Sequence, residues 1–183
     1  TGTVGEYSAA EWQPRLTLTQ RWTERQMSYV SISRGFRGGG ANGPGAPNPF
    51  YDGDSVWTYE LGNRFETEDG RLRLSAAIYY NQYEDYIGQN ALTPALIAVN
   101  LNTGDVESYG LELEGAWRPT DRFMIQGGLT YNHARITDDS RFVAVIGSGL
   151  ASDRILFQPD WNFFVTPSYT IPLGTGDLRF DAT

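Results

Sequence analysis

The sequence predicts an all-β fold, a transmembrane antiparallel up-and-down β-barrel to which the chain contributes about eight strands. Three observations predict it. The first is a set of four aromatic pairs, Trp57 and Phe65, Tyr109 and Trp117, Phe123 and Tyr131, Trp161 and Tyr169, each separated by eight residues and each framing a stretch of period-2 alternation. Eight strand residues cover roughly 26 Å at about 3.3 Å per residue. Tilted by about 40°, that is roughly 20 Å along a barrel axis, close to the ~25 Å apolar band between the aromatic girdles of outer-membrane barrels. A strand in a soluble core has no reason to carry an amphipathic ring at both ends of its apolar face. A membrane strand does, because Trp and Tyr settle where lipid meets headgroups. The second observation is that connections alternate between short and long. The third is composition: eleven Tyr, five Trp and nine Phe beside 21 Gly, with no run of about 18 apolar residues that would make a transmembrane helix.

The strands follow in order. Arg15–Trp22 places Leu16, Leu18, Gln20 and Trp22 on one face, with Gln20 a poor lipid contact. In Gln26–Arg34, Val30 and Ile32 face one way and Met27 and Tyr29 the other, which leaves its orientation open. Val56–Glu66 puts Tyr59 and Leu61 between its girdle rings, with Asn63 the exception. Arg71–Tyr83 aligns Leu72, Leu74, Ala76, Ile78 and Tyr80. Val106–Arg118 separates Leu111 and Leu113 from Glu112 and Glu114. Arg122–Ile136 separates Ile125 and Leu129 from Gln126 and Thr130. Gln158–Leu173 separates Phe163 and Val165 from Thr166 and Ser168, with Pro167 mid-strand as an expected bulge. The eighth strand runs from Asp177 to the end of the chain. The apolar members should face lipid and the polar members the lumen, since a one-residue slip would invert every assignment.

Short turns fall at Thr23-Glu24-Arg25, Thr67-Glu68-Asp69-Gly70, Pro119-Thr120-Asp121 and Gly174-Thr175-Gly176, two of them with the glycines that tight hairpins use. Long loops are expected at 35–55, 84–105 and 137–157. This asymmetry matches periplasmic turns and extracellular loops. Phe65, Trp117, Phe123 and Tyr169 lie beside short turns, whereas Trp57, Tyr109, Tyr131 and Trp161 lie beside long loops.

A net charge of −8 and a pI near 4.6 argue against a nucleic-acid partner. Without cysteine, neither disulfides nor thiolate metal sites arise. The mean hydropathy of −0.41 does not oppose a barrel, where only alternate residues meet lipid. Thr1-Gly2-Thr3-Val4-Gly5-Glu6 has no signal-peptide character, and both ends read as cut, so the chain is expected to be processed or a fragment. The lumen residues Glu60, Arg64, Glu112, Glu114, Gln126 and Asn162 are too large and polar for a narrow eight-stranded interior, so the sheet should stay open.

Pro14-Arg15-Leu16-Thr17-Leu18, YVSISRGFRGGGAN from Tyr29, VWTYELGN from Val56, GRLRLSAAIYYNQY from Gly70, NTGDVESYGLELEGAWRP from Asn102 and Phe157-Gln158-Pro159-Asp160-Trp161 resemble, in order, strands of the C-terminal half of TonB-dependent outer-membrane receptor barrels. The resemblance implies a Gram-negative outer-membrane location and a barrel of about 22 strands around a plug. It further implies import of a scarce large solute, most often a ferric siderophore or similar iron chelate, driven through the TonB complex. Residues 1–183 would be part of that barrel, with plug, early strands and terminal strand outside it. Contact with TonB would fall to the missing N-terminal part. A passive porin or adhesin barrel is the alternative within membranes, and a soluble carbohydrate-binding β-protein the alternative outside them.

The long loops offer the candidate ligand contacts Arg37, Phe50, Tyr51, Tyr86 and Phe142, because rings and guanidinium forks suit an aromatic or anionic chelate. The Gly-rich run Gly35–Gly45 lacks the Lys-Ser/Thr of a phosphate cradle and reads as a flexible loop. Glu112 and Glu114, about 7 Å apart, read as lumen wall, pairing with Arg64 and Arg73 alongside Glu60. Asp52-Gly53-Asp54 and Asp138-Asp139 lack a calcium-loop pattern and read as solvated turns. His133, the lone histidine, reads as an interfacial or loop-base residue. No nucleophile–base pair is evident, so no enzymatic activity, cofactor or metal is assigned.

Overall fold

The computed structural model describes residues 10–93, 96–155 and 158–183, with the backbone alone at 89–92. The opening stretch Thr1-Gly2-Thr3-Val4-Gly5-Glu6 and Phe157 lie outside the described residues. Eight strands lie side by side in chain order, every neighbour antiparallel: β1 (Arg15–Thr23), β2 (Gln26–Arg37), β5 (Asp54–Glu66), β6 (Leu72–Leu92), β7 (Ala98–Thr120), β8 (Phe123–Ile136), β9 (Trp161–Leu173) and β10 (Gly176–Asp181). A small separate hairpin, β3 (Gly40–Ala41) with β4 (Phe50–Tyr51), and a short helix α1 (Ser140–Ile146) occupy the first and third long connections. β1 and β10 do not pair with each other, so the meander is open, as the bulky lumen residues predict.

Register settles which side each strand presents. Val30 and Ile32 lie opposite Leu61 and Tyr59, which fixes β2 with Tyr29 and Met27 inward. Leu111 faces Ile78 and Tyr131, and Leu113 faces Ala76 and Leu129, all on the outward face. The outward apolar residues remain bare, with Leu18 68%, Phe163 75% and Val165 56% exposed. Among the described residues, the buried hydrophobics are Ile87, Val99, Leu101 and Val106, all in the part of the β6–β7 hairpin at or above the level of Ile136, where β8 ends. A soluble sandwich would bury its alternating leucines between sheets; here these strands have no such core and leave their alternating apolar face uncovered.

On the inner face, three rings lie directly across from glycines of the next strand: Tyr29 opposite Gly62, Tyr79 opposite Gly110, and Phe164 opposite Gly128. A Cβ built on those glycines would stand 2.3, 2.4 and 2.4 Å from the respective ring. The missing side chain leaves a flat seat on which the neighbouring ring lies, a cross-strand contact that glycine alone allows.

The second long connection departs from the expectation of a loop over 84–105. β6 continues for 21 residues and β7 for 23, pairing as far as Leu92 and Ala98. The added ladder escaped notice because bulges at Tyr83/Tyr86, Tyr86/Ile87 and Gly88/Ala91 break the parity, and Asp85 takes a positive φ of 58°. At about 3.3 Å per residue β6 is roughly 70 Å long, so the hairpin rises far past any membrane band. Gly104, at φ +130°, lies where a Cβ would meet the Asp138 carbonyl oxygen at 2.0 Å, and this close approach lets the third connection pack on β7.

The Gly-rich loop is also more ordered than its composition indicates. β2 runs to Arg37, which pairs with Asp54, and Gly40–Ala41 turns back onto Phe50–Tyr51. β9 begins at Trp161 rather than Gln158. Pro167 causes no bulge: the register with β8 is continuous through Ile125 and Pro167. Ala182 donates to the Pro167 carbonyl at 3.2 Å, so the side of Pro167 that lacks an N–H faces β10, and the ladder with β8 keeps its donors.

Asparagines fasten the first connection to the tall hairpin. Asn42 Nδ2 donates to the carbonyls of Asn48 (2.8 Å) and Asn100 (2.7 Å), while its Oδ1 accepts from the Asn100 N–H at 2.8 Å. Asn102 Nδ2 donates to the carbonyls of Asp52 (3.1 Å) and Asp85 (2.7 Å), and its Oδ1 accepts from the Asp52 N–H at 2.9 Å. Asn102 is buried. Asn102→Ala is therefore expected to orphan backbone groups and weaken this corner by about 1–3 kcal/mol. Hydrogen exchange at Asp52 should rise while the spanning strands stay protected.

Candidate functional site

The inner wall divides into three levels. At the extracellular end a cavity of about 330 Å³ is lined by Phe36, Arg37, Asp54, Val56, Tyr83 and Tyr86. Its hub is Asp54, which is buried and is no solvated turn residue, contrary to the sequence reading. Arg37 Nε donates to both carboxylate oxygens (2.9 and 3.1 Å), Nη2 adds a close contact to Oδ2, and the Ile87 N–H donates to Oδ2 at 3.0 Å. The Asp54 hydrogen bond holds the Arg37 guanidinium above its ordinary pKa, so the charge is permanent. The Arg37 guanidinium carbon sits 5.2 Å from the Tyr86 ring centroid, and Tyr83 meets Tyr86 edge-on at 5.6 Å. Burial raises the Tyr83 phenol, which stays protonated at neutral pH. A guanidinium held in place by Asp54 and flanked by the Tyr83 and Tyr86 rings offers flat faces on which a planar ligand can stack.

At mid-height a cavity of about 510 Å³ is lined by Glu60, Tyr79, Asn81, Glu112, Thr130 and Asn132 among others. Tyr29 donates to Glu60 at 2.5 Å, Tyr79 to Asn132 at 2.8 Å, and Asn81 to Ser108 at 3.0 Å. Beside the short turns a third cavity, of about 560 Å³, gathers Arg21, Arg25, Arg64 and Arg73 with Glu66 and Glu114. The ion pairing differs from the sequence reading. Arg73 binds Glu66 at 3.1 Å, and Glu60 accepts from a tyrosine.

Of the five candidate contacts, the structure brings Arg37 and Tyr86 together and leaves three apart. Tyr51 lies over Gly40 within the small hairpin, Phe50 is exposed opposite Ala41, and Phe142 sits on α1. Tyr83 and Asp54 joined the site unforeseen. Tyr83 carries the inward parity of Tyr79 and Asn81, a signal that was present but masked by its place at the edge of a loop. Asp54 is masked by Gly53, whose absent Cβ makes room for the Phe36 ring.

Around this cavity α1 supplies a clasp. Arg141 forms a fork with Asp85, Nε to Oδ1 at 2.6 Å and Nη2 to Oδ2 at 3.0 Å, and reaches Asp52 at 3.2 Å. Burial raises the Asp85 carboxyl, and Arg141 opposes that rise. Both long connections on either side are thus tied to the third. Asp138 accepts from the Ser140 N–H (3.1 Å) and hydroxyl (2.7 Å), and those bonds hold its carboxyl below the usual range. Among the described residues no cluster of three or more His, Cys, Asp or Glu could hold a metal ion.

The eight rings Trp57, Phe65, Tyr109, Trp117, Phe123, Tyr131, Trp161 and Tyr169 occupy the outward face, and several touch. Tyr131 lies 4.6 Å from Trp161 and 6.4 Å from Tyr109. His133 lies 5.3 Å from Tyr109, beyond the rings at the loop base.

The family described as TonB dependent receptor-like, beta-barrel, matches residues 1–182. The pesticin receptor of Yersinia pestis is 34% identical over 105 residues, 55% of this chain and 14% of that protein. Among solved structures, the ferric yersiniabactin uptake receptor of Yersinia pestis aligns with a TM-score of 0.69 at 23% identity, covering 90% of this chain and 24% of its own. The ferripyoverdine receptor of Pseudomonas aeruginosa gives 0.63 at 20% identity, covering 91% and 21%. The ferric preacinetobactin receptor of Acinetobacter baumannii gives 0.63 at 16%, covering 92% and 24%. The structural likenesses speak for the fold, and the chain spans about a quarter or less of each relative's length. With its open antiparallel meander, bare outward leucines and polar inner wall, the chain belongs to the TonB-dependent receptor β-barrel family, transport receptors of the Gram-negative outer membrane.

Proposed function

We propose that the chain forms eight consecutive strands of a plugged barrel of about 22 strands that imports a ferric siderophore or similar iron chelate, with energy relayed by TonB to parts of the receptor outside this segment. The observation that carries the ligand class is the Arg37–Tyr86–Tyr83 cluster on the inner wall beneath the extracellular loops, where a guanidinium held by Asp54 and two tyrosine rings surround one cavity. Such a set suits a flat, aromatic chelate. The names of the related receptors support the same class. The eight outward rings would bracket the bilayer, with lipid as the second partner.

The test uses a complete receptor carrying this segment in an iron-starved strain lacking other siderophore receptors. Chelate-dependent growth is expected, and it should vanish when TonB is deleted. Growth that persists without TonB would indicate a passive pore instead. Tyr86→Ala should weaken chelate binding by about three- to tenfold, the loss of one desolvated cation–π neighbour. Equal affinity in that variant would remove the cluster from the ligand site while leaving the transport question open.

A further inference from the structure

We infer that the extracellular cavity selects a planar iron chelate without net negative charge, because Asp54 cancels the charge of Arg37 and carboxylates crowd the mouth. The inference rests on the reading of this cavity as the chelate site and deepens it by assigning the ligand's charge. An arginine among tyrosines suits an anionic ligand when its fork is free. Here the fork is taken. Arg37 lies directly opposite Asp54, and its Nε donates to both carboxylate oxygens at 2.9 and 3.1 Å while Nη2 contacts Oδ2. The Asp54 side chain is 3% exposed against 47% for Arg37. A guanidinium that turned away to a ligand would leave that buried carboxylate unpaired, which is strongly unfavourable. The other lining residues, Phe36, Val56, Tyr83 and Tyr86, are apolar or phenolic. Toward a ligand the ion pair acts as a dipole, and its field fades faster than that of a lone cation.

The mouth adds a negative field of its own. Arg141 is shared between Asp52 at 3.2 Å and Asp85 at 2.6 Å. Asp105 accepts from the Asp85 N–H at 3.2 Å, and Glu84 accepts from the Ser55 hydroxyl at 3.4 Å, next in the chain to Asp54. Burial raises the Asp85 carboxyl, Arg141 opposes the rise, and the charges of Asp105, Asp52 and Glu84 add to it, so these groups lie close enough to feel one another. Among the described residues, five carboxylates thus meet two guanidiniums around one entrance. An anion approaching the Tyr86 ring is repelled on the way in and finds only a neutralised arginine at the end. An uncharged chelate meets no such repulsion and keeps the stacking surface.

A complete receptor carrying this segment, purified in detergent, would be titrated with two iron(III) complexes of one ring system: the tris-hydroxyquinolinate, which is uncharged, and its ring-sulfonated counterpart, a trianion. The unsubstituted receptor is expected to bind the uncharged complex about tenfold more tightly or better. Asp54→Asn keeps the shape and an acceptor for the Ile87 N–H but leaves the Arg37 charge uncancelled. It should move the ratio of the two affinities about tenfold toward the trianion. Adding Arg37→Gln should return the ratio close to its starting value. Glu84→Gln with Asp105→Asn, at exposed positions that leave the Arg37–Asp54 pair intact, should move it the same way by about threefold at low salt. Tyr86→Ala should weaken both complexes. Heat-modifiable migration establishes that each variant is folded. If Tyr86→Ala weakens neither complex, the cavity is not the chelate site and the reading beneath the inference falls with it. If it weakens both while neither Asp54→Asn nor the Glu84–Asp105 pair moves the ratio, the site stands and charge selection alone is overturned. Tighter binding of the trianion by the unsubstituted receptor, or binding of neither complex, would also overturn it.

Discussion

Leu113→Arg is expected to lower barrel stability by about 2–4 kcal/mol when the barrel is unfolded from bilayers in denaturant, whereas Glu112→Arg one residue away should cost much less. Leu113 lies midway between Tyr109 and Trp117, points outward, and sits between Ala76 and Leu129 on the flanking strands. A guanidinium there has only acyl chains around it. Glu112 points the other way, into the mid-height cavity with Tyr79 and Thr130, where water and polar side chains receive a charge of either sign. Equal losses for the two variants would contradict the division into lipid and lumen faces.

Gly110→Ala should be disruptive for a different reason, costing about 1–3 kcal/mol or more through overpacking. The new methyl would stand 2.3 Å from the Tyr131 carbonyl oxygen and 2.4 Å from the Tyr79 ring. A ring can swing aside; a ladder carbonyl cannot move without breaking its strand. Gly62→Ala provides the comparison, since its neighbours at 2.3–2.5 Å are all atoms of the Tyr29 ring. It should cost less, because Tyr29 can rotate at the expense of its bond to Glu60. Combining Gly62→Ala with Tyr29→Ala should remove the clash, while Tyr79→Ala should rescue Gly110→Ala only in part. Full rescue of Gly110→Ala by the tyrosine change would show that the backbone contact is unimportant.

The spanning strands were legible because lipid imposes a strict two-residue period on one face, and Leu111, Leu113, Phe163 and Val165 keep it. Above the membrane that constraint lapses. Ile87, Val99 and Leu101 answer to a small packed core instead, and the bulges around Tyr83, Tyr86 and Gly88 scramble their parity. Residue chemistry singled out Arg37 and Tyr86, yet only the pairing of β2, β5 and β6 brings them to one cavity. Asp54 shows the opposite difficulty. Asp-Gly-Asp is good turn chemistry, and nothing local reveals that one of its carboxylates is buried under an arginine and a backbone N–H from 33 residues away. Asn102 and Arg141 likewise work across connections, at sequence separations that no local pattern encodes.

The tall hairpin of β6 and β7 also sets a tempo. A loop hinged only at its two ends moves independently in nanoseconds to microseconds. Here the first connection is pinned to the hairpin by Asn42, Asn48 and Asn102, and the third by Arg141 gripping Asp52 and Asp85. Contacts of this kind couple the three connections, so they are expected to move together about the upper edge of the sheet, a collective displacement on the microsecond-to-millisecond scale. Relaxation measured at Asp52, Asp85 and Arg141 should then report one shared rate, and Arg141→Ala should split it.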